Sequence, residues 1–514
     1  MELIKVKLVR NIIMNQRKIG IVLSYVNIIL HAVVGFLYVP ILLHYIGKGE
    51  YGLYQLMGSL IAYFSIMDFG LTAAVIRFYT KYKALHDEEG MENILALSLR
   101  GYGIVTILVL GIGVFCYSFL DQAFAASMTV SELAEAKDIF LLLLLNIVIT
   151  LSTMVFRAVI NAYEKFLFLK GLETLQLISQ PILVILVLQH YPSAFSVAAV
   201  QTGINIFLVL SRIFYSFHVL HVRIRFHEWD YALIHEFKRL ALSVFVVSLI
   251  DQVFWKTNQI LLGMFRGTSA VAVYSIASLI YMNYMALSTA ISGVYLPHIT
   301  EMVAKGEPIE KLSTLFIQIG RWQYYLLGLV ASGFIIFGRE FIAIWAGAGF
   351  EDAYVITLLI ILPFTIDLIQ NIGLAILQAM NRYELRARVY FFIGMLNLIL
   401  AVPLGIKWGG IGCAVATGSA MLIGNGILMN WIYSTKIKLT IKKFWMNIGR
   451  ITISVLCVLL MGLLLEHFVE LPGKLGFIVK IVVYTFLYGG MIYKFAMNEN
   501  ERNGVKKIAG KMPK

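Results

Sequence analysis

Charge is scarce in this chain. Asp, Glu, Lys and Arg make up 14% of its 514 residues, against about 25% in a soluble domain, while 60% are hydrophobic. That imbalance excludes an ordinary soluble enzyme, whose surface could not be covered. Cysteine is rarer still. Cys116, Cys413 and Cys457 lie in or near apolar runs and far apart, so they form neither a disulfide framework nor a zinc site. No G-x-x-x-x-G-K-[ST] phosphate loop occurs, which excludes ATP hydrolysis by that route. Uphill work must draw on an ion gradient or on the substrate's own. Long polar stretches are missing too: the longest connections, near 77–93, 120–138, 219–239 and 297–321, are too small to fold as domains. The first apolar run is too long for a cleaved signal, and no small-x-small site follows it.

What remains is apolar runs of helical length. A span needs roughly 20 apolar residues to cross about 30 Å of hydrocarbon, twice a barrel strand. The fold expected is an all-α integral membrane protein of about fourteen transmembrane helices, near 19–43, 51–76, 94–119, 139–162, 168–188, 196–218, 240–264, 270–296, 322–345, 354–380, 389–406, 409–433, 450–467 and 475–495. The net charge of +13 is spread as a topology signal. Lys and Arg gather in alternate connections, for example Arg77, Lys81 and Lys83, then Arg223, Arg225 and Arg239, then Lys436, Lys438, Lys442 and Lys443. The intervening connections hold one or two each. This positive-inside pattern puts 77–93, 219–239, 297–321 and 434–449 in the cytoplasm, with both termini. It implies contact with anionic lipid heads and argues against nucleic acid. Residues 3–18 alternate apolar and basic, as in a helix lying on the inner face of a membrane.

The sequence echoes itself. Residues 42–60 align with 262–280 at an offset of 220, pairing Leu42 with Leu262, Gly47 with Gly267 and Tyr54 with Tyr274. Residues 199–203 echo 414–418 at 215. The expected organisation is a cytoplasmic amphipathic segment (1–18), a six-helix bundle (19–218), a cytoplasmic linker (219–239), a second six-helix bundle (240–433) related to the first by pseudo-symmetry, a cytoplasmic loop (434–449), two peripheral helices (450–495) and a basic cytoplasmic tail (496–514). Paired halves in transporters place the substrate path at their interface.

Polar residues inside spans are costly and therefore informative. Asn27 and His31 share a face of span one. Asn146 with Arg157, Asn205 with Arg212, and Asp367, Gln370 and Asn371 mark spans four, six and ten. Span seven carries Asp251, Gln252, Lys256 and Gln259. Spans thirteen and fourteen show no such stripe. Such residues also glue helices together, and Arg157 and Arg212, near span ends, can snorkel. Lys256 is sharper: a mid-span Lys costs about 2.5–3.5 kcal/mol on the insertion scale. Asp68 and Arg77 fall nine residues apart, and a bend at Gly70 makes Asp68 either a cap or a cavity carboxylate. Asp68-Phe69-Gly70 spells a kinase motif, but its partner motifs are missing. His218, His221, His227 and His235 match no zinc spacing.

Three stretches carry a resemblance. Gly47-Lys48-Gly49-Glu50-Tyr51-Gly52-Leu53-Tyr54 is followed by Asp68-Phe69-Gly70-Leu71 and Arg77. Val271-Ala272-Val273-Tyr274-Ser275-Ile276-Ala277 comes next. Asn397-Leu398-Ile399-Leu400 then precedes Gly409-Gly410-Ile411-Gly412-Cys413-Ala414. In order and spacing these resemble the polysaccharide transporter family (Wzx-type oligosaccharide flippases), within the superfamily that also holds multidrug (MATE) exporters and lipid II flippases. The family often has Asp near position 258, where this chain has Asn258. The resemblance implies a cytoplasmic-membrane flippase, not an enzyme, that moves undecaprenyl-diphosphate-linked oligosaccharide for capsule, exopolysaccharide or O-antigen assembly. It implies membrane lipids and a polysaccharide polymerase as partners and no cofactor beyond a coupling ion, H+ or Na+. Arg77, Arg157 and Lys256 would be the cations of a central cavity, with Asp68, Asp251, Gln252, Gln259, His31, Asn27, Asn146, Asn205, Asp367, Gln370 and Asn371 around it. The alternatives are a drug or lipid-intermediate exporter of the same fold and a membrane-embedded polymerase or acyltransferase.

Overall fold

The chain was analysed as a computed structural model, which describes residues 2–229, 231–469, 471 and 473–508, with side chains for 26–27, 30–229, 245, 248–469, 471 and 473–506. The side chains of the 1–18 amphipathic segment and the tail beyond 508 fall outside the described residues. All regular elements described are helical. Among the described residues, nine helices are long and apolar enough to cross a membrane, or eleven if each of two bent pairs counts as one span. This is a multi-pass membrane protein.

Two compact units divide the chain, residues 1–275 and 276–514. The first contains α1 (Glu2–Ala62), a 3-10 turn (Tyr63–Asp68), α2 (Leu71–Ala84), α3 (Glu88–Phe124), α4 (Val130–Ser152), α5 (Met154–Ala162), α6 (Phe166–Leu188), α7 (Ala194–Phe214), α8 (Tyr231–Arg266) and the start of α9 (Thr268–Ala304). Here α1 packs on α6, α4, α8 and α7, and α2 on α5 and α3. Phe78 and Tyr79 of α2, Ile94 and Tyr102 of α3 and Phe156 of α5 share one buried cluster. The linker and span seven thus fall in the first unit, where α8 packs against α1 and the 3-10 turn.

The second unit holds the rest of α9, α10 (Ile309–Trp345), α11 (Asp352–Leu368), α12 (Asn371–Ala379), α13 (Tyr383–Met421), α14 (Met429–Thr435), α15 (Ile441–Phe468), α16 (Gly473–Met491) and α17 (Glu499–Ile508). The last two long helices, α15 and α16, pack on α10. They are not purely apolar at that contact. Lys480 is buried between Glu340 and Glu466, at 3.3 and 3.0 Å, and the Tyr484 and Tyr488 hydroxyls donate to Ser332 Oγ and the Tyr325 carbonyl. These three positions recur every four residues, a stripe missed in sequence because its members are spread thinly among aliphatics.

Backbone breaks recur with the repeat. Gly47 (φ 75°) and Gly267 (φ 82°), aligned at offset 220, both sit in the left-handed region, where glycine alone bears no Cβ penalty. His86 and Gly306 repeat this at offset 220, and Glu164 and Asn381 at 217. The helix pairs α4–α5 and α11–α12 bend by 40° and 42° at matching places. Left-handed Gly47 also interrupts the 55-residue run Leu30–Ala84, and Gly409 (φ 60°) the 53-residue run Tyr383–Thr435.

Candidate functional site

Asp68 ends the 3-10 turn, and Phe69 and Gly70 follow with φ of 50° and 68°. The bend expected at Gly70 is real, and the carboxylate serves it. Asp68 Oδ1 accepts from the hydroxyls of Thr72 and Tyr102, each at 2.8 Å. Two turns on, Arg77 is exposed, with Phe78 under its guanidinium at 5.4 Å. The structure does not pair it with Asp68.

Several candidate amides are spent on packing. Asn27 donates to the Lys170 carbonyl and accepts from Thr174, tying α1 to α6 at 3.3 and 2.7 Å. Asn205 donates to Asn146 and Thr150 at 2.6 and 2.8 Å, and Asn146 to Thr202 at 3.3 Å, which joins α4 to α7. Gln259 accepts from Ser59 and donates to Ser275. In the second unit Asp367 meets Arg386 at 3.5 Å, and Arg386 donates to Asn425. Asn371 reaches Ser288 at 3.4 Å, while Gln370 is buried with its Nε2 on the Ile366 carbonyl of α11 and its oxygen without a hydrogen bond among the described residues. Satisfied groups of this kind hold helices together where lipid offers no partner. His31 is exposed on α1.

The remaining polar groups of α8 are less satisfied. Lys256 is half-buried and makes no ion pair among the described residues. One turn earlier, the side-chain oxygen of Gln252 is buried with no hydrogen bond there. Asp251 has interactions of its own.

Arg157 is not isolated. Its Nη2 lies 3.2 Å from Glu173 Oε1, and Lys170 Nζ lies 2.7 Å from Oε2 of the same carboxylate. Arg212 is electrostatically coupled to both Arg157 and Glu173, and its Nε is buried without a hydrogen bond among the described residues. Two cations therefore hold one carboxylate where α5 meets α6, and Arg212, near the end of α7, is close enough to feel their charges. Lys170 and Glu173 were missed in sequence, although their i, i+3 spacing is an ion-pair signal. Of the histidines in the middle loop, His227 pairs with Glu92 at 3.0 Å and His218 stacks on Phe214.

A family described as polysaccharide biosynthesis protein matches residues 18–303. The probable low-salt glycan biosynthesis flippase Agl15 of Haloferax volcanii is 27% identical over 252 residues, 48% of this chain and 51% of that protein. The probable flippase AglR of the same organism is 28% identical over 174 residues, 33% and 36% of the two chains. The chain thus spans about half the length, or less, of these curated relatives. Among solved structures, the lipid II flippase MurJ in an inward closed conformation superposes with a TM-score of 0.71 at 16% identity, over 92% of this chain and 97% of that one. An inward-facing MATE family multidrug transporter of the MOP superfamily gives 0.62 at 15% identity, over 81% and 99%. At such identities the likeness is one of fold.

Proposed function

This chain belongs to the polysaccharide biosynthesis protein family, and from that premise we propose that it is a flippase of the MOP superfamily that carries polyprenyl-diphosphate-linked oligosaccharide across the cytoplasmic membrane. The substrate has a dianionic diphosphate, a polar glycan and a hydrocarbon tail. A protein that moves it must offer cations and amides inside a membrane-spanning body and leave the tail to lipid.

The carrying observation is Lys256, a cation in a long helix with no carboxylate partner among the described residues, one turn from the unpartnered oxygen of Gln252. With Arg77 and Arg157 it supplies the positive charge that we assign to diphosphate or acidic-sugar binding during alternating access. The membrane reading has fourteen spans. It follows if the 55- and 53-residue runs each count twice at their left-handed glycines, each bent pair counts once, and α8 is added. Both termini are then cytoplasmic and no catalytic step is needed.

The test is export of lipid-linked glycan in cells and its translocation in liposomes. A charge-assisted contact of this kind is worth about 1.5–3 kcal/mol, so losing one lowers affinity roughly ten- to a hundredfold. Lys256→Ala abolishes export at normal protein abundance, Lys256→Arg partly restores it, and Lys305→Ala, in an exposed pair with Glu301, leaves it unchanged. Normal export by Lys256→Ala removes the main residue of the reading.

A further inference from the structure

We propose that Arg157, Lys170 and Arg212 form a built anion site for a diphosphate group, and that Glu173 occupies it as an internal stand-in until the ligand displaces it. The source of the diphosphate rests on the flippase reading above; the site itself rests on its own geometry. Both oxygens of Glu173 are taken, one by Arg157 at 3.2 Å and the other by Lys170 at 2.7 Å. Two oxygens of one phosphate group can make the same two contacts, so the carboxylate marks where that group would lie. Arg212 adds a buried Nε–H that no described group accepts. Three cations against one carboxylate leave a surplus of two positive charges, matching a diphosphate diester.

The site is rigid and reachable. Phe168 of α6 stacks on Tyr215, just past α7, with centroids 3.9 Å apart. Those rings lie two residues before Lys170 and three after Arg212. Asn27 of α1 clamps the next turn of α6 through the Lys170 carbonyl and Thr174. Yet the side chains of Arg157, Lys170 and Glu173 keep 44, 32 and 27% of their exposure. The charge pattern puts the connection between α5 and α6 on the cytoplasmic side, where a lipid-linked substrate made inside would be loaded. An arginine fork takes two phosphate oxygens at once, while lysine supplies a point charge. The stand-in keeps the empty site from leaving three cations unpaired, and by competing for the same donors it limits affinity so that the ligand can leave.

The experiment uses the full chain in nanodiscs of phosphatidylcholine, titrated calorimetrically with inorganic diphosphate. The wild type binds it. Lys170→Ala and Arg212→Ala each weaken binding at least tenfold, with Lys170→Arg and Arg212→Lys recovering part of the loss and unfolding temperatures confirming folded protein. Glu173→Gln tightens binding severalfold and slows translocation. Lys137→Ala, at the exposed pair with Asp121, changes nothing. Binding unaffected by Lys170→Ala and Arg212→Ala overturns the site, and weaker binding by Glu173→Gln overturns the stand-in. If phosphatidylglycerol in the nanodisc abolishes diphosphate binding, the site is one for ordinary lipid headgroups and the substrate assignment falls. Diphosphate binding with the expected variant pattern, but no translocation of lipid-linked oligosaccharide, refutes the flippase reading and leaves the site standing. Translocation indifferent to Lys170→Ala and Arg212→Ala does the reverse.

Discussion

Gly52 leaves no room for a side chain. A Cβ there would stand 1.9 Å from the carbonyl oxygen of Thr268 and 3.2 Å from the amide nitrogen of Ala272. Backbone meets backbone where the two copies of the repeat touch. Gly52→Ala should therefore cost about 1–3 kcal/mol, as overpacking does, and lower the unfolding temperature in detergent. Gly58→Ala, with open space around it, should not. Glu135, in the connection before span four, behaves differently. Burial first, then the hydrogen bond and like charge of Glu50, push its carboxyl up to about 7, against a weaker opposing bond from the Phe195 amide. An acid whose folded pKa is raised above its ordinary 4.5 binds extra proton when folded. Its stabilisation is full at the acidic end of that window and lost as pH rises through 7. Unfolding temperature should fall from pH 6 to pH 8, and Glu135→Gln should flatten that fall; an unchanged slope would remove Glu135 from the account. Gly47 and Gly267 stand out in the repeat as an aligned glycine pair, whereas Gly52, opposite Ala272, does not. The Glu50–Glu135 pair could not be read in sequence, because its members stand 85 positions apart and meet only when α4 packs on α1.

Among elements, α17 shows how a polar tail is fixed to an apolar bundle. Arg321, at the start of the membrane run of α10, spends its donors on Glu501 twice at 2.7 Å, Tyr325 at 2.7 Å, the Ala496 carbonyl at 2.9 Å and Asn447 at 3.1 Å. Both partners are buried, with 8 and 3% of their side chains exposed. Breaking such a pair from one side costs about 3–5 kcal/mol, because the other charge stays buried. Arg321→Ala should free α17 and expose the tail to protease, while Lys311→Ala, in an exposed pair, should not. Burial alone would raise the Glu501 carboxyl, but Arg321, the Asn498 amide and Tyr325 together hold it below its ordinary value. This contact is therefore complete at neutral pH and lost as pH falls through that lowered value. Cleavage of the tail that is equal in Arg321→Ala and wild type would show that the pair holds nothing. In sequence Arg321 counts only as one more cytoplasmic cation, since its partner lies 180 residues away. Helical spans were legible because twenty apolar residues admit one solution in lipid. Which polar residues are packing and which are free was not, because Asn146 and Gln252 carry the same signal until their neighbours are known.

At the scale of the molecule, the distribution of Lys and Arg is the basis on which we propose one orientation. Basic residues cluster in every second connection, and the acidic connection 120–138 carries Lys137 as its one cation. On the proposed topology, retention of Lys and Arg on the cytoplasmic face would set both ends of every span. The helix boundaries agree in spacing: α2 ends in Lys81 and Lys83, and α9 ends beside Lys305, at equivalent places in the repeat marked by left-handed His86 and Gly306. Two segments related by the repeat must lie on the same side of the membrane if the halves share one topology, and they carry the same charge bias. Exposure decides which positions can report it. Lys81 and Lys305 are exposed, and Val130, at the start of α4, is 88% exposed. In a variant whose three native cysteines are replaced, cysteine at Val130 should react with an impermeant thiol reagent in intact cells. Cysteine at Lys81 or Lys305 should react only after the membrane is permeabilised. The reverse pattern would invert the protein, put the Arg157–Lys170–Arg212 cluster on the outer face, and make it a site of release instead of loading.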